Sequence, residues 1–468
     1  MKETWINNRI INYSLILLGV FAGLIAVYKA ATLSFTHDES GTFLYLNQLS
    51  PWQILIHESA WQSANNHILN TVLYKISIHL FGHSDFILRL PNVLAYWGCL
   101  LTASWVINNK LSKPVSKIVL FLILFFNPYI LDFYSLCRGY GLSMFFHFSF
   151  LICIWRFKDK QNVLLLYLAF ALLSLASLSL LTNLILFPIY TIGLWLGFKS
   201  QKISIKVRNN LILAPLIFGL ITLVLVLKPL LYLIGKNELK FGVASIWDSL
   251  KSFTTQTFYY IPKQDFMWVH DVLTIILLIA ITTVLYFSLK DRKNAFLSLS
   301  FILLIIALYI LYLGFDIRFP SERKTTIYIP ILALIFSNHL DRLNINQLRQ
   351  KLYGVVAFCA CILLLFSNKL DRTIEWKYDR KTKDYMLLTQ ETASEKSIVL
   401  LAEWWFTPTA EYYVKTLELK NIVLLPYKKS FDLNDNPNMV IAHTSIMLQR
   451  DKYHLIESDE ELGLFVKK

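Results

Sequence analysis

Apolar runs of roughly twenty residues, cut by short polar connections, repeat from residue 12 to residue 368. A run of that length is what an α-helix needs to cross a hydrocarbon core about 30 Å thick. The pattern predicts spans near 12–31, 86–107, 118–131, 139–156, 162–181, 183–198, 211–231, 271–289, 295–313, 325–340 and 352–368, about 11 transmembrane helices in all. The stretch "NHILNTVLYKISIHLFG" (66–82) is interrupted by His67, Asn70, Lys75 and His79. It predicts a helix lying along, or re-entering, the outer surface.

The connections carry the orientation. Lys110, Lys113 and Lys117, then Lys158 and Lys160, Lys199 to Arg208, Lys290 to Lys293, and Arg342 to Lys351 fall in alternate short loops. Thr32 to Tyr74 holds no Lys or Arg. Basic residues gather in cytoplasmic loops, so the N-terminus is expected inside and the C-terminus outside. The first outer loop is then 32–85. After residue 369 the pattern changes: "SIVLLA" (397–402), "NIVLL" (421–425), "NMVIAH" (438–443) and "GLFVKK" (463–468) read as strands, and "PTAEYYVKTLELK" between the first two reads as a helix. The expected architecture is a polytopic α-helical membrane protein, residues 1–369, with a small C-terminal α/β extracytoplasmic domain, 370–468.

Composition agrees. Of the 468 residues 56% are hydrophobic and 16% charged, where a soluble domain carries about a quarter charged residues. The net charge of +14 could suggest nucleic acid, but in a membrane chain it is accounted for by the basic inner loops; no nucleic-acid partner is expected. The five cysteines show no disulfide framework or metal spacing.

Four polar groups stand out at the outer ends of the spans. In "SFTHDESGTF" (34–43), Asp38 and Glu39 follow the first span, in company with His37, His57, Glu58 and His67. They read either as a solvated loop or as carboxylates for acid–base work. In "NPYILDFYSLCRGYGLSMFF" (127–146), Asp132 and Arg138 flank a turn between spans; a local ion pair competes with a site role. Arg89 lies inside an apolar run before Pro91 and must snorkel, pair or bind phosphate. Arg318, Arg323 and Lys324 sit on the outer side against the positive-inside trend, as a phosphate site would need. The four histidine and glutamate side chains of the first loop fit no compact metal motif; a divalent metal is possible and no cofactor is required.

These segments, in this order, resemble the GT-C glycosyltransferases, which include the protein O-mannosyltransferases and the bacterial lipid A aminoarabinose transferase. "HDESGTFLYL" looks like their Asp-Glu motif after span one. "NNHILNTVLYKISIHLFGHSDFILRLPNVLAYW" is similar to their His-Pro-Pro-Leu-Tyr, Phe-Gly, Leu-Arg-Leu-Pro segment, with Ile68 and Leu69 where Pro-Pro is usual. "FYSLCRGYGL" and "SERKTTIYIPILAL" resemble later motifs, Cys137 replacing the usual Ala. The resemblance implies transfer of a sugar from a polyprenyl-phosphate donor to a lipid, glycan or protein acceptor on the outer face of a membrane, with a bacterial inner or plasma membrane expected. Asp38 is the expected base, with Glu39 and Asp132 assisting. Arg89, Arg138, Arg323 and Lys324 would face the donor phosphate, and His37, His67 and Tyr140 would line the cavity. Direct displacement at C1 would invert the anomeric centre. A flippase or exporter of a lipid-linked glycan is the rival class, but it usually binds at the midplane between internal repeats, and none is visible here.

Overall fold

The computed structural model describes residues 2–468 except 57–65, 199–203, 263–264, 291–294, 345, 394–396, 427–436, 444–451 and 460–461. Among the described residues, eight helices are long and apolar enough to cross a membrane: Asn8–Thr32, Asp85–Asn109, Gly139–Lys160, Leu181–Phe198, Ile205–Gly235, Met267–Lys290, Ala295–Phe315 and Leu348–Phe366. A ninth is the bent pair Pro114–Phe126 and Pro128–Tyr134, which turns through 57°. The remaining two expected spans are shorter: Val163–Ser179, and Ile329–Arg342, which follows a 3₁₀ turn over Glu322–Tyr328. The 66–82 stretch contains a helix over Ile68–Phe81, again too short to count as a span by length.

The elements that shape the polar end of the bundle are α1 (Lys2–Thr32), α2 (His37–Leu46), α3 (Ile68–Phe81), α4 (Asp85–Asn109), α5 (Pro114–Phe121), α6 (Pro128–Tyr134) and α7 (Gly139–Lys160). Helix α2 starts with a capping box: the Thr36 hydroxyl accepts from the Glu39 amide while the Glu39 carboxylate accepts from the Thr36 amide at 2.9 Å. Two orphan donors are met reciprocally. A π-helical turn, Leu122–Phe126, follows α5, and Pro128 opens α6 with Asn127 as its cap. Proline has no N–H to give to the preceding turn, so the apolar run breaks there instead of crossing as one straight helix.

The C-terminal region forms a mixed five-stranded sheet of order β2-β1-β3-β5-β4, with β1 (Ile398–Ala402), β2 (Ile422–Leu424), β3 (Met439–His443), β4 (Tyr453–Ser458) and β5 (Leu462–Lys467). Strands β2, β1 and β3 run parallel, and β5 and β4 are added antiparallel. Strand β4 is absent from the sequence expectation. Its burial is confined to Tyr453, the other five residues being exposed, so it carries no buried apolar run by which to be noticed. The connection from β1 to β2 is the expected helix, Thr407–Thr416.

This sheet unit does not hang free. Phe35 and Phe43 from the segment after α1, Tyr74 from α3 and Leu88 from α4 share one core with Tyr385, Met386, Phe406, Tyr412 and Tyr413. Phe35 stacks on Tyr412 at 4.4 Å, and its backbone N–H donates to the Tyr413 hydroxyl at 2.6 Å. Asp85, at the start of α4, accepts from Tyr412 (2.7 Å), Tyr413 (3.2 Å) and Lys383 (2.9 Å). Much of "EWWFTPTAEYY" (403–413) is therefore core, although Trp405 remains 42% exposed. The consequence for function is positional: the segment after the last span is held against the start of α2 and α4.

Candidate active site

Three sets of buried charges meet where α1, α2, α4, α6 and α7 end. The first is Glu39 with Arg89, both wholly buried. Arg89 Nε donates to Glu39 Oε1 (2.9 Å), and Nη2 donates to Glu39 Oε2 (2.7 Å) and the Ser34 carbonyl (2.8 Å). Nη1 donates to the carbonyls of Ala30 (3.1 Å) and Leu33 (2.8 Å). A guanidinium has five N–H donors, and all five are used. The expectation that Arg89 faces a donor phosphate is therefore corrected: it caps the last carbonyls of α1 and clamps Glu39. Glu39 is equally committed, since it also accepts from the amides of Thr36 and Cys137.

The second set is Lys29 with Asp132. The ammonium of Lys29, 1% exposed within α1, donates to Asp132 Oδ1, and the Ile374 amide donates to Oδ2 at 2.7 Å. Asp132 thus ties α1, α6 and the segment after the last span together. It does not join Asp38, as the sequence had led us to expect; its neighbours are a lysine and a backbone amide.

The third set is the open one. Asp38 Oδ2 lies 3.4 Å from Arg138 Nη2 and 3.4 Å from Arg323 Nη1, and the Trp376 indole hydrogen-bonds the same side chain. Arg138 is fully buried and also donates to the Asp38 carbonyl (3.3 Å) and the Thr42 hydroxyl (3.2 Å). Arg323 differs. Its side chain is 27% exposed, its ion pairs to Asp38 and Glu375 both use Nη1, and it lies over the Trp376 ring at 5.4 Å. Glu375 Oε1 sits 3.2 Å from Arg323, and Oε2 accepts from the Tyr129 hydroxyl at 2.9 Å. Burial pushes the Asp38 carboxyl up, but Arg138, then Arg323 and His37, outweigh it and hold it below the usual carboxylate range. Burial wins at Glu375, with Glu322 adding to it against Arg323, and its carboxyl is raised.

Around this cluster, His67 is 4% exposed, its Nδ1 within 2.9 Å of the Ser179 carbonyl and its ring 4.9 Å from Tyr140. Burial and then Arg138 keep the imidazole well below its ordinary pKa, so it is neutral. With Nδ1–H on a carbonyl, Nε2 presents a lone pair with no hydrogen-bond partner. Gly139 makes this packing possible: a Cβ there would fall 2.0 Å from the Ser179 carbonyl and 2.8 Å from His67 Nδ1. His37 donates its backbone N–H to Asp379 (2.6 Å) and sets Nδ1 2.7 Å from the Trp405 carbonyl. Lys324 donates to the Phe241 carbonyl at 2.7 Å and pairs with none of the cluster.

Among the described residues no three His, Cys, Asp or Glu side chains converge as metal ligands; His57 and Glu58 lie outside the described residues. The carboxylate best placed to hold a cation, Asp38, already faces two guanidiniums. No chemical step below uses a metal.

Sequence reading missed Lys29, Tyr129, Glu375, Trp376 and Asp379. Lys29 left a signal, a lone cation near the end of an apolar span. Glu375 and Trp376 left little, because they lie beyond the last span in a segment read as a separate domain.

No protein-family model and no curated protein matches the sequence. Solved structures do match in fold. The crystal structure of ArnT from Cupriavidus metallidurans in the apo state aligns over 96% of this chain and 97% of that chain, with TM-score 0.51 and 13% identity. The same protein bound to undecaprenyl phosphate aligns over 97% of each chain, with TM-score 0.52 and 12% identity. Archaeal AglB oligosaccharyltransferase from Archaeoglobus fulgidus, in complex with an inhibitory peptide and a dolichol-phosphate, aligns over 97% of this chain and 74% of that one at TM-score 0.49 and 11% identity. At such identities the likeness is one of fold alone.

Proposed function

We propose that the chain transfers a sugar from a polyprenyl-phosphate carrier to an acceptor at the outer membrane surface. The observation that carries this is Asp38, held between the buried Arg138 and the partly exposed Arg323. A donor phosphodiester meets the exposed part of the Arg323 guanidinium, a group that suits phosphate. As the C1–O bond breaks, negative charge grows on the departing phosphate, and a fixed cation stabilises it. The acceptor hydroxyl attacks C1 from the opposite face and loses its proton to Asp38, which is ionised at neutral pH. Displacement from the opposite face inverts the anomeric centre. Phosphate is a good leaving group, so no general acid is assigned. His67 Nε2 and Tyr140 orient hydroxyls of the sugar or acceptor. Glu39 fixes the α2 turn on which Asp38 sits, and Asp132 fixes the meeting of α1 with the post-span segment. That ArnT has been solved with undecaprenyl phosphate supports the donor class.

The basic loops support an N-terminus inside and residues 370–468 outside, so that the cluster opens to the outer surface. The division at residue 369 is one of origin, not of labour: the post-span segment contributes Glu375 and Trp376 to the cluster. The direct experiment is to incubate purified protein with a panel of polyprenyl-phosphate sugars and measure released polyprenyl phosphate. Release from at least one donor, stimulated by an acceptor fraction, is expected. Binding of lipid-linked glycans with vesicle translocation and no release would replace this reading with the transporter.

A further inference from the structure

We propose that Glu375 is a positioning residue that sets the charge and aim of Arg323, keeping the phosphate subsite electrically balanced so that the product lipid phosphate leaves. This rests on the transferase reading above and deepens it.

The charges in the cluster are matched. Asp38 and Glu375 face Arg138 and Arg323. Glu322 and Lys324, next to Arg323 in the chain, add one charge of each sign, and Tyr129, Tyr140 and Tyr378 are neutral phenols close by. Glu375 is anchored on its far oxygen by the Tyr129 hydroxyl, and its near oxygen takes Nη1 of Arg323. The ring of Trp376 supports the guanidinium from beside it. Two neighbouring residues of the post-span segment therefore hold one arginine from two sides, and its side chain stays 27% exposed.

The chemistry gives this balance a use. A donor phosphodiester carries one negative charge; the polyprenyl phosphate that leaves is a monoester and carries nearly two near pH 7. Two unbalanced arginines would bind the product more tightly than the donor and retain it. A carboxylate sharing Arg323 lowers the attraction for both and lowers it more for the dianion. Because Glu375 acts on the lipid only through Arg323, its removal has a direction that a loss of packing does not share.

The test uses the full chain in detergent micelles. Binding of polyprenyl phosphate is measured for the parent, Glu375→Gln, Arg323→Ala and the double variant, with uncharged polyprenol as the control lipid. Glu375→Gln keeps the shape of the side chain and its contact with Tyr129. It is expected to bind polyprenyl phosphate about tenfold or more tightly, as one uncompensated charge at a partly buried site gives. Polyprenol binding stays unchanged. In the Arg323→Ala background the same change is expected to do little. In turnover, kcat and donor KM fall together and product inhibition strengthens. Unchanged or weaker binding of polyprenyl phosphate to Glu375→Gln overturns the inference, as does an equal effect with and without Arg323. A parent chain that binds polyprenyl phosphate no better than polyprenol overturns the phosphate reading itself. Tyr129→Phe, which frees Glu375 without removing its charge, is expected to move affinity far less than Glu375→Gln; an equal or larger tightening would assign the effect to packing.

Discussion

Replacing Arg89 by methionine separates a brace from a phosphate ligand. Methionine keeps most of the side chain's length and removes its charge. It leaves the Glu39 carboxylate buried with only the Thr36 and Cys137 amides, and it strands the carbonyls of Ala30, Leu33 and Ser34. Removing one partner of a buried ion pair costs about 3–5 kcal/mol. Each stranded carbonyl adds up to about 1–3 kcal/mol unless water reaches it. Against a total stability on the order of 5–15 kcal/mol, the pair alone is a large fraction. The measurement is a double-mutant cycle of Arg89→Met, Glu39→Gln and both, by equilibrium unfolding in mixed micelles, with polyprenyl-phosphate binding measured on whatever stays folded. We expect Arg89→Met to lose at least about 3 kcal/mol. The double variant should lose less than the two single losses added, because the buried charge goes with its partner. A folded Arg89→Met within about 1 kcal/mol of the parent that no longer binds polyprenyl phosphate would refute the brace and return Arg89 to the donor.

Asp38→Asn, which keeps shape and removes the base, is expected to lower turnover on the order of 100- to 10,000-fold at saturating substrates and also to cost stability, because the buried Arg138 loses its carboxylate; near-parent turnover of the folded variant would exclude Asp38 as the base. Arg323→Gln removes one of the charges that hold the Asp38 carboxyl low; the base works only when ionised, so the acid limb of the kcat/KM profile is expected to move to higher pH, and a stationary limb would detach it from Asp38. Gly139→Ala puts a methyl against the Ser179 carbonyl and His67, and thermal unfolding is expected to report about 1–3 kcal/mol of lost stability; an unchanged midpoint would contradict the close approach. A reporter fused at Lys468 is expected to be active only outside the membrane, and a cytoplasmic signal would invert the topology.

The membrane architecture was readable because hydrocarbon imposes a run length on each span, and that length shows directly in the chain. The sheet strands β1, β2, β3 and β5 were readable for a related reason, their burial on one or both faces. What stayed hidden was pairing across long separations. Lys29 and Asp132 are 103 residues apart, and Asp38 and Glu375, far apart in the chain, share Arg323. A partner that far away leaves no periodic trace. The mistaken expectation for Arg89 had the same origin: its carboxylate lies 50 residues upstream, so an arginine in an apolar run looked like a ligand in search of an anion.

The Asp38–Glu39 pair shows how far local rules reach. Successive residues on an α-helix project about 100° apart, so two adjacent carboxylates in α2 cannot serve one point in space. The segment Thr36-His37-Asp38-Glu39 has the spacing of a capping box, Thr and then Glu three residues on, which assigns Glu39 to the helix start before any neighbour is considered. That turns Glu39 inward to Arg89 and leaves Asp38 on a different face, toward Arg138 and Arg323. One carboxylate is spent on making the turn, and the other is aimed by it. Activity should therefore depend on both residues by different routes. Glu39→Gln keeps an oxygen for the cap but loses the ion pair, so its defect should appear first in stability; Asp38→Asn should appear first in kcat. If the two variants proved alike in both measurements, the helix geometry would not be what separates them.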